Sequence, residues 1–300
     1  MSDLIKVSII TPYYKGEKTI YNTIDSVFTA YKKVSNKLNL EYIVVIDSME
    51  DKDDIYCKLK TKYGNKITLL KNKQNLGVAR TRSNTIKYAT GKYILLLDQD
   101  DILDENYFKC LHKFFYEEND LILTNGYICD LNKNNKFPIY YVKPQINKKQ
   151  MIKINKIPTP GLLWFSKKIA NEENLFLGYS EQFKGADDWG AYLKILFKYE
   201  DLNIKYINNK IFYYNLHDNN YSRNWVEINS SAIATCEYYK KTVDEKDKKR
   251  LEKTINILKF ENEYKNNKKK HSVKKIIEYK IFFITYINRL IGSIHRRLVK

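Results

Sequence analysis

Apolar residues come in short unbroken blocks through the first hundred positions, with polar stretches of helical period between them. Residues 4–10 (LIKVSII), 41–47 (EYIVVID), 66–71 (KITLLK) and 92–97 (KYILLL) read as buried strands. Strands that are apolar on both faces, instead of alternating, belong to sheets covered on both sides. Ile20, Ile24, Val27 and Phe28 recur at helical spacing within 17–33. A polar helix is predicted near 51–62 and another over 78–89, closed by Gly91. Strands alternating with helices of this length imply right-handed crossovers, hence an α/β fold with a Rossmann-like, mostly parallel sheet flanked by helices.

The second half is less regular. Residues 104–118 predict a helix, 121–128 (LILTNGYI) a strand pair or hairpin, and 131–150, with Pro138 and Pro144, a mobile loop. A helix is predicted over 187–199 (DDWGAYLKILFKY), then short strands at 203–207 and 211–214. From about 226 the pattern is helical, through a Lys/Asn-rich break near 265–272, to a last helix over 273–298. No internal repeat is visible.

Composition adds a core and a charged tail. At 43% hydrophobic and 14% aromatic, 300 residues can bury a sizeable interior. The formal charge is +18, and residues 241–300 hold 18 Lys and Arg against 7 Asp and Glu. That asymmetry points to a polyanionic partner, lipid headgroups before nucleic acid. Cys57, Cys110, Cys129 and Cys236 form no CxxC, which argues against a zinc site or a disulfide framework. The N-terminus lacks signal-peptide character and no apolar run reaches 18 residues, so the expected location is cytoplasmic.

Candidate chemistry lies at the strand ends, where open α/β sheets bind ligands. Three ends carry suitable groups: Thr11-Pro12-Tyr13, Asp47, and Asp98-Gln99-Asp100-Asp101. Three carboxylates at one strand end repel unless something positive offsets them. A divalent cation with all-oxygen ligands and room for phosphate oxygens fits, which suggests Mn²⁺ or Mg²⁺. Neither GxxxxGK[ST] nor GxGxxG is present, so a cation on carboxylates has to do the phosphate binding.

Four segments in order resemble family 2 of the nucleotide-sugar glycosyltransferases, whose fold is GT-A: VSIITPYYKGEKTIYNTIDSVF (7–28), EYIVVIDSMED (41–51), NLGVARTRSNTIKYATGKYILLLDQDD (75–101) and KGADDWGAYLKI (184–195). The likeness covers about the first 215 residues. It implies a GT-A domain over 1–220, with a nucleotide-binding half (1–101) and an acceptor-binding half (102–220), and a helical C-terminal extension over 221–300. By the resemblance, Asp47 accepts the N3–H of a pyrimidine, where the family usually has two aspartates and this chain has Ile46-Asp47. Thr11, Pro12, Tyr14 and Glu17 match the first donor loop, with Lys15 where Asn is usual. Arg82 matches a family arginine that lies near the donor diphosphate or the DxD region. Asp98-Gln99-Asp100-Asp101 matches the DxD-type motif, with Asp98, Gln99 and Asp100 toward the donor and Asp100 or Asp101 on the metal. His217 completes the metal shell, and Arg223 touches phosphate.

The catalytic pair implied is Asp187-Asp188, where the family usually has Glu-Asp, with Asp188 as general base toward the acceptor hydroxyl. Trp164, Tyr179 and Trp189 are candidate sugar-stacking residues on the acceptor side. The activity implied is metal-dependent, inverting transfer from a nucleotide-sugar, foremost a UDP-sugar, to a glycan or lipid-linked acceptor in bacterial surface polysaccharide synthesis. Residues 273–298 place Ile276, Phe283, Ile287, Leu290, Ile294 and Leu298 near one helical face among Lys and Arg. This predicts an in-plane helix on the inner face of the cell membrane, with packing in a homo-oligomer as the other reading. Two other classes compete. A sugar nucleotidyltransferase needs a Gly-rich basic loop that TPYYKGEKT does not supply. A non-catalytic polyanion binder leaves the aspartates unexplained, and no nucleic-acid motif is visible.

Overall fold

The structure is a computed structural model that describes residues 4–48, 54–176, 181–218, 220–221 and 224–266. The stretch predicted as a membrane helix, 273–298, lies outside the described residues, as do Tyr179 and Arg223. Among the described residues no helix is long and apolar enough to cross a membrane.

In chain order the elements are β1 (Lys6–Tyr13), α1 (Glu17–Lys32), β2 (Asn39–Ile46), α2 (Ile55–Tyr63), β3 (Thr68–Lys71), α3 (Val78–Ile86), β4 (Tyr93–Leu96), β5 (Ile102–Leu103), α4 (Tyr107–Leu111), β6 (Leu121–Asp130), β7 (Asn135–Pro138), α5 (Lys148–Lys153), β8 (Leu163–Ser166), α6 (Lys167–Ala170), α7 (Asp187–Lys198), β9 (Ile204–Leu216), α8 (Trp225–Lys240) and α9 (Glu245–Asn266). The strands form one sheet in the order β3-β2-β1-β4-β8-β6-β9-β5, with β7 on the outer part of β6. Pairing is parallel from β3 through β4 and between β6 and β9. Because β8 is antiparallel to both β4 and β6, those two strands share one direction. Six strands therefore deliver their carboxyl ends to a single edge, and that edge carries the candidate residues.

Apolar burial fixes this arrangement. Val7, Ile9, Ile10, Val44, Ile94 and Leu95 are fully enclosed, each stabilising the fold by about 1.5–3 kcal/mol relative to exposure. Ile20, Thr23, Ile24, Val27 and Ala30 form the buried stripe of α1 at the spacing the sequence predicted.

The second half departs from expectation in four places. Residues 121–128 are not a hairpin but part of one ten-residue strand, β6. The segments 203–207 and 211–214 join into a single strand, β9. The β6–β9 register slips on both sides of Asn125, a bulge that absorbs the Asn-Gly pair without turning the chain. A Cβ on Gly126 would lie 2.2 Å from the Phe212 carbonyl oxygen, so only glycine fits there. The predicted loop 131–150 holds β7 and the start of α5, and the helix over 104–118 shrinks to α4 followed by a 3₁₀ turn over 112–116.

Helices α8 and α9 dock on α7 and α5. Tyr239 donates to the Gly190 carbonyl of α7 at 2.8 Å, and Thr254 donates to the Ile152 carbonyl of α5 at 3.0 Å.

Candidate active site

The acidic end of β4 is compensated residue by residue. Asp98 accepts from Arg82. Asp100 Oδ2 sits 2.8 Å from His217 Nε2 and 3.3 Å from the Asn220 amide. Asp101 has no exposed surface; its Oδ1 accepts from the Asn215 backbone N–H at 3.1 Å and its Oδ2 from the Thr159 hydroxyl at 3.3 Å. The offset expected from a cation alone is thus largely built from protein groups. Burial, then the charges of Asp100 and Asp98, push the Asp101 carboxyl well above the usual range. Asp101 is enclosed and hydrogen-bonded on both oxygens: it ties the β4 end to β9 and to the 154–162 segment.

Asp100 and His217 are half-buried and adjacent, one carboxylate and one imidazole at the mouth of the edge. Among the described residues no group of three or more His, Cys, Asp or Glu side chains forms a ready-made metal cage. A carboxylate and an imidazole of this kind, with phosphate oxygens and water to fill the remaining positions, fit Mn²⁺ or Mg²⁺.

Arg82 is 4% exposed. One guanidinium nitrogen donates to Asp98 and the other to Asp187 Oδ2 at 3.0 Å. This places it at the DxD-type region: it is a strut between the β4 end and the first turn of α7. Burial raises the Asp187 carboxyl while Arg82 draws it down. Asp188 follows, partly open to solvent, its Oδ1 accepting from the Trp189 N–H at 2.6 Å and its Oδ2 from the Asn155 amide at 3.4 Å. Burial and the neighbouring Asp187 push Asp188 up to about 7, against the pull of the Trp189 N–H and Arg82.

On the donor side, Tyr14 is exposed just beyond β1, and Gln99 clamps that loop through both amide atoms: it accepts from the Tyr14 N–H at 2.8 Å and donates to the Tyr14 carbonyl at 2.9 Å. Gln99 therefore shapes the loop. Asp47 is buried, and its Oδ1 accepts from the Asn72 amide and the Leu76 N–H, each at 2.8 Å. Thr11 and Pro12 lie at the neighbouring strand end, on β1. Thr11 is fully enclosed with its hydroxyl 3.0 Å from that of Tyr42, and Pro12 is buried opposite Val45 in the sheet. Glu17 pairs with Lys58 at 2.7 Å.

Residues 8–173, more than half the chain, match "Glycosyl transferase family 2". The chain belongs to this glycosyltransferase family.

This family 2 chain is 30% identical over 203 residues to the UDP-Glc:alpha-D-GlcNAc-diphosphoundecaprenol beta-1,3-glucosyltransferase WfgD of Escherichia coli, covering 67% of this chain and 73% of that protein. It is 34% identical over 139 residues to the minor teichoic acid biosynthesis protein GgaB of Bacillus subtilis, covering 43% of this chain and 15% of that protein. The chain spans 15–46% of the length of three of the relatives it matches. Among solved structures, S. aureus TarS 1-349 in complex with UDP-GlcNAc superposes with a TM-score of 0.61 at 17% identity, over 92% of this chain and 78% of that one. At that identity the likeness is one of fold, and the fold is GT-A.

Two aromatic candidates of this family 2 glycosyltransferase do not reach the crevice. Trp164 is fully buried on β8, with its indole N–H 2.8 Å from the Tyr107 hydroxyl and its ring edge-on to Phe115. Trp189 is 4% exposed and donates to the Met151 carbonyl at 2.8 Å, locking α7 to α5. Both are core residues, which corrects their assignment as sugar platforms. Conversely, Asn155, Thr159, Asn215 and Asn220 hold the acidic groups, and sequence reasoning missed them. The Asn- and Asp-rich stretch around His217 carried a signal for Asn215 and Asn220; Asn155 and Thr159 lie in a segment with no chemical pattern of its own.

Proposed function

We propose that this enzyme transfers a sugar from a nucleotide-sugar, foremost a UDP-sugar, to a hydroxyl of a glycan or lipid-linked acceptor of the bacterial surface, with inversion at the anomeric carbon. The observation that carries the reading is the Arg82 strut, which holds the Asp98–Asp100 strand end and the Asp187-Asp188 helix start on two sides of one crevice. The diphosphate lies against Asp100 and His217, the residues that would hold Mn²⁺ or Mg²⁺; when bound, the ion neutralises charge growing on the departing diphosphate. The base rests at the Asp47 end, and the exposed Tyr14 loop, held by Gln99, closes over it.

Asp188 works at the other end of the crevice. The acceptor hydroxyl oxygen attacks the anomeric carbon as its proton passes to the Asp188 carboxylate. The bond from that carbon to the diphosphate oxygen breaks, and its electron pair leaves with the nucleoside diphosphate. A single displacement inverts the centre. Asn155 and the Trp189 N–H keep the Asp188 carboxylate oriented, and Asp187, held by Arg82, keeps its affinity for the proton high. The acceptor class follows the activities named for WfgD and GgaB and the basic C-terminal stretch, which favours an anionic membrane surface.

The test is donor hydrolysis across a panel of nucleotide-sugars with Mn²⁺ or Mg²⁺, on the full chain and on Asp188→Asn. Release of nucleoside diphosphate from one donor, lost in the variant while nucleotide binding stays, supports the reading. Full turnover by the variant refutes the base assignment.

A further inference from the structure

Two buried polar atoms near Asp188 have no hydrogen-bond partner among the described residues: the Tyr192 hydroxyl and Arg82 Nε. Tyr192 is 2% exposed, and its ring stacks on Phe165 with centroids 6.4 Å apart and planes 17° apart, so it has little room to turn. It stands four residues after Asp188 on α7, one helical turn on, which places the two side chains on the same face. Burial and then the charge on Asp188 push its hydroxyl well above the usual tyrosine range, so it is a neutral O–H at working pH. The Arg82 guanidinium lies within the field of the same two residues. Protein interiors pair nearly all such groups, with protein, solvent or ligand. Two orphans beside one candidate base call for an oxygen from outside the chain.

We propose that Tyr192 is an acceptor-binding residue whose hydroxyl holds the attacking oxygen of the incoming sugar hydroxyl against Asp188. A sugar hydroxyl suits the position because it both donates and accepts. Its proton points at the Asp188 carboxylate, one lone pair accepts from Tyr192 Oη, and the other faces the anomeric carbon. In hydrolysis without acceptor, water takes the same place. The inference rests on the general-base reading of Asp188 and adds the group that aims its substrate.

The experiment compares Tyr192→Phe with the unaltered full chain, since the change removes one oxygen and keeps the ring. With Mn²⁺ and the donor the unaltered enzyme hydrolyses best, kcat should fall about tenfold, the loss of one hydrogen bond to a reacting group. KM for the donor and UDP affinity by calorimetry should stay within about twofold, because the hydroxyl makes no donor contact. The melting temperature should hold or rise, because an unpaired buried hydroxyl is gone. An unchanged kcat overturns the proposal: with a raised melting temperature the hydroxyl is idle, and with a lowered one it holds a structural water only. A crystal structure of the unaltered chain gives a reading independent of turnover. An ordered oxygen within hydrogen-bond distance of Tyr192 Oη supports the site, and clear density with none there overturns it. A chain that hydrolyses no donor yet shows that oxygen refutes the transferase mechanism and leaves the oxygen site standing.

Discussion

Arg82 and Asp187 are 105 positions apart in the chain and 3.0 Å apart in space. The same guanidinium also grips Asp98, so one buried side chain on α3 fixes the distance between the strand end proposed for the diphosphate and the helix start proposed for the acceptor. A planar guanidinium can serve two carboxylates at once, and a lysine ammonium on a single stem does so poorly. In a direct displacement the two halves of the reaction must stay in line, and a misplacement on the order of 1 Å costs about a hundredfold. The strut is therefore where the architecture of the fold becomes chemistry.

Removing the strut leaves two carboxylates, one of them buried, without their cation. Arg82→Ala should destabilise the fold by about 3–5 kcal/mol, as for other broken buried ion pairs. Arg82→Lys should recover most of that stability and little of the activity. Denaturant titration beside kcat separates the two effects, and a lysine variant with full kcat would show that a single charge suffices.

The pH dependence follows from Asp188. A base must be ionised to work, and this carboxyl sits at about 7 in the folded chain. Turnover should rise with pH through that value and flatten above it, falling roughly tenfold per pH unit on the acid side. Stability should run the other way. A carboxyl raised on folding is favoured in its protonated form, so its contribution is intact below about pH 4 and is lost as pH rises toward 7. Asp188→Asn should abolish the acid limb, lower kcat by a factor on the order of 100 or more, and raise the melting temperature at pH 8 but not at pH 4. A variant that keeps the acid limb assigns that titration elsewhere.

Much of this was legible before the structure because local pattern and tertiary role agreed. Strands β1, β2 and β4 are apolar on both faces because they are enclosed on both faces, and the aspartates appear where such strands run out. Legibility failed where a residue type has two meanings. Asn125-Gly126 reads as a turn, yet the Asn125 side chain donates to the Tyr140 carbonyl and accepts from the Tyr140 N–H, stitching a bulge into an unbroken strand. Trp164 and Trp189 read as sugar platforms because indoles serve both cores and ligands, and burial together with an indole N–H already satisfied by the protein separates the two. Asn155 and Thr159 were invisible because their partners, Asp188 and Asp101, lie 33 and 58 residues away.

The Tyr14 loop, proposed to bind the donor, rests on a tight fit. A Cβ on Gly16 would lie 2.4–2.6 Å from the Gln99 amide, the group that clamps Tyr14. Gln99 is flexible and would yield, releasing the loop and leaving the core intact. Gly16→Ala should therefore raise KM for the donor several-fold with a stability change within about 1 kcal/mol. Because Gln99→Ala releases the same loop, the double variant should be no worse than either single one. Additive losses would mean the two residues act separately.

Lys15 adopts a left-handed backbone, φ 49°, beside that clamp. Side chains other than Gly and Asn pay for this conformation. Lys15→Asn should stabilise the chain by about 0.5–1 kcal/mol in denaturant titration and leave nucleotide affinity unchanged. A loss of nucleotide affinity would reveal a direct role for the lysine charge.

The metal assignment makes the sharpest distinction among the aspartates. Asp100 and His217 are partly solvated and bond each other, whereas both Asp101 oxygens face inward to Asn215 and Thr159. Asp100→Ala and His217→Ala should therefore remove or weaken the Mn²⁺-dependent part of UDP binding, seen as a smaller thermal shift when UDP and Mn²⁺ are added together than in the unaltered chain. Stability without ligand should change little, because both side chains are half-buried and partly solvated. Asp101→Ala should behave in the opposite way. It strips the Asn215 N–H and the Thr159 hydroxyl of a buried acceptor, and each orphaned group costs about 1–3 kcal/mol. Its melting temperature should fall before any ligand is added, and Asp101→Asn should restore part of it by keeping one acceptor oxygen. If instead Asp101→Ala is as stable as the unaltered chain and has lost only the metal-dependent shift, Asp101 is the ligand and Asp100 the support.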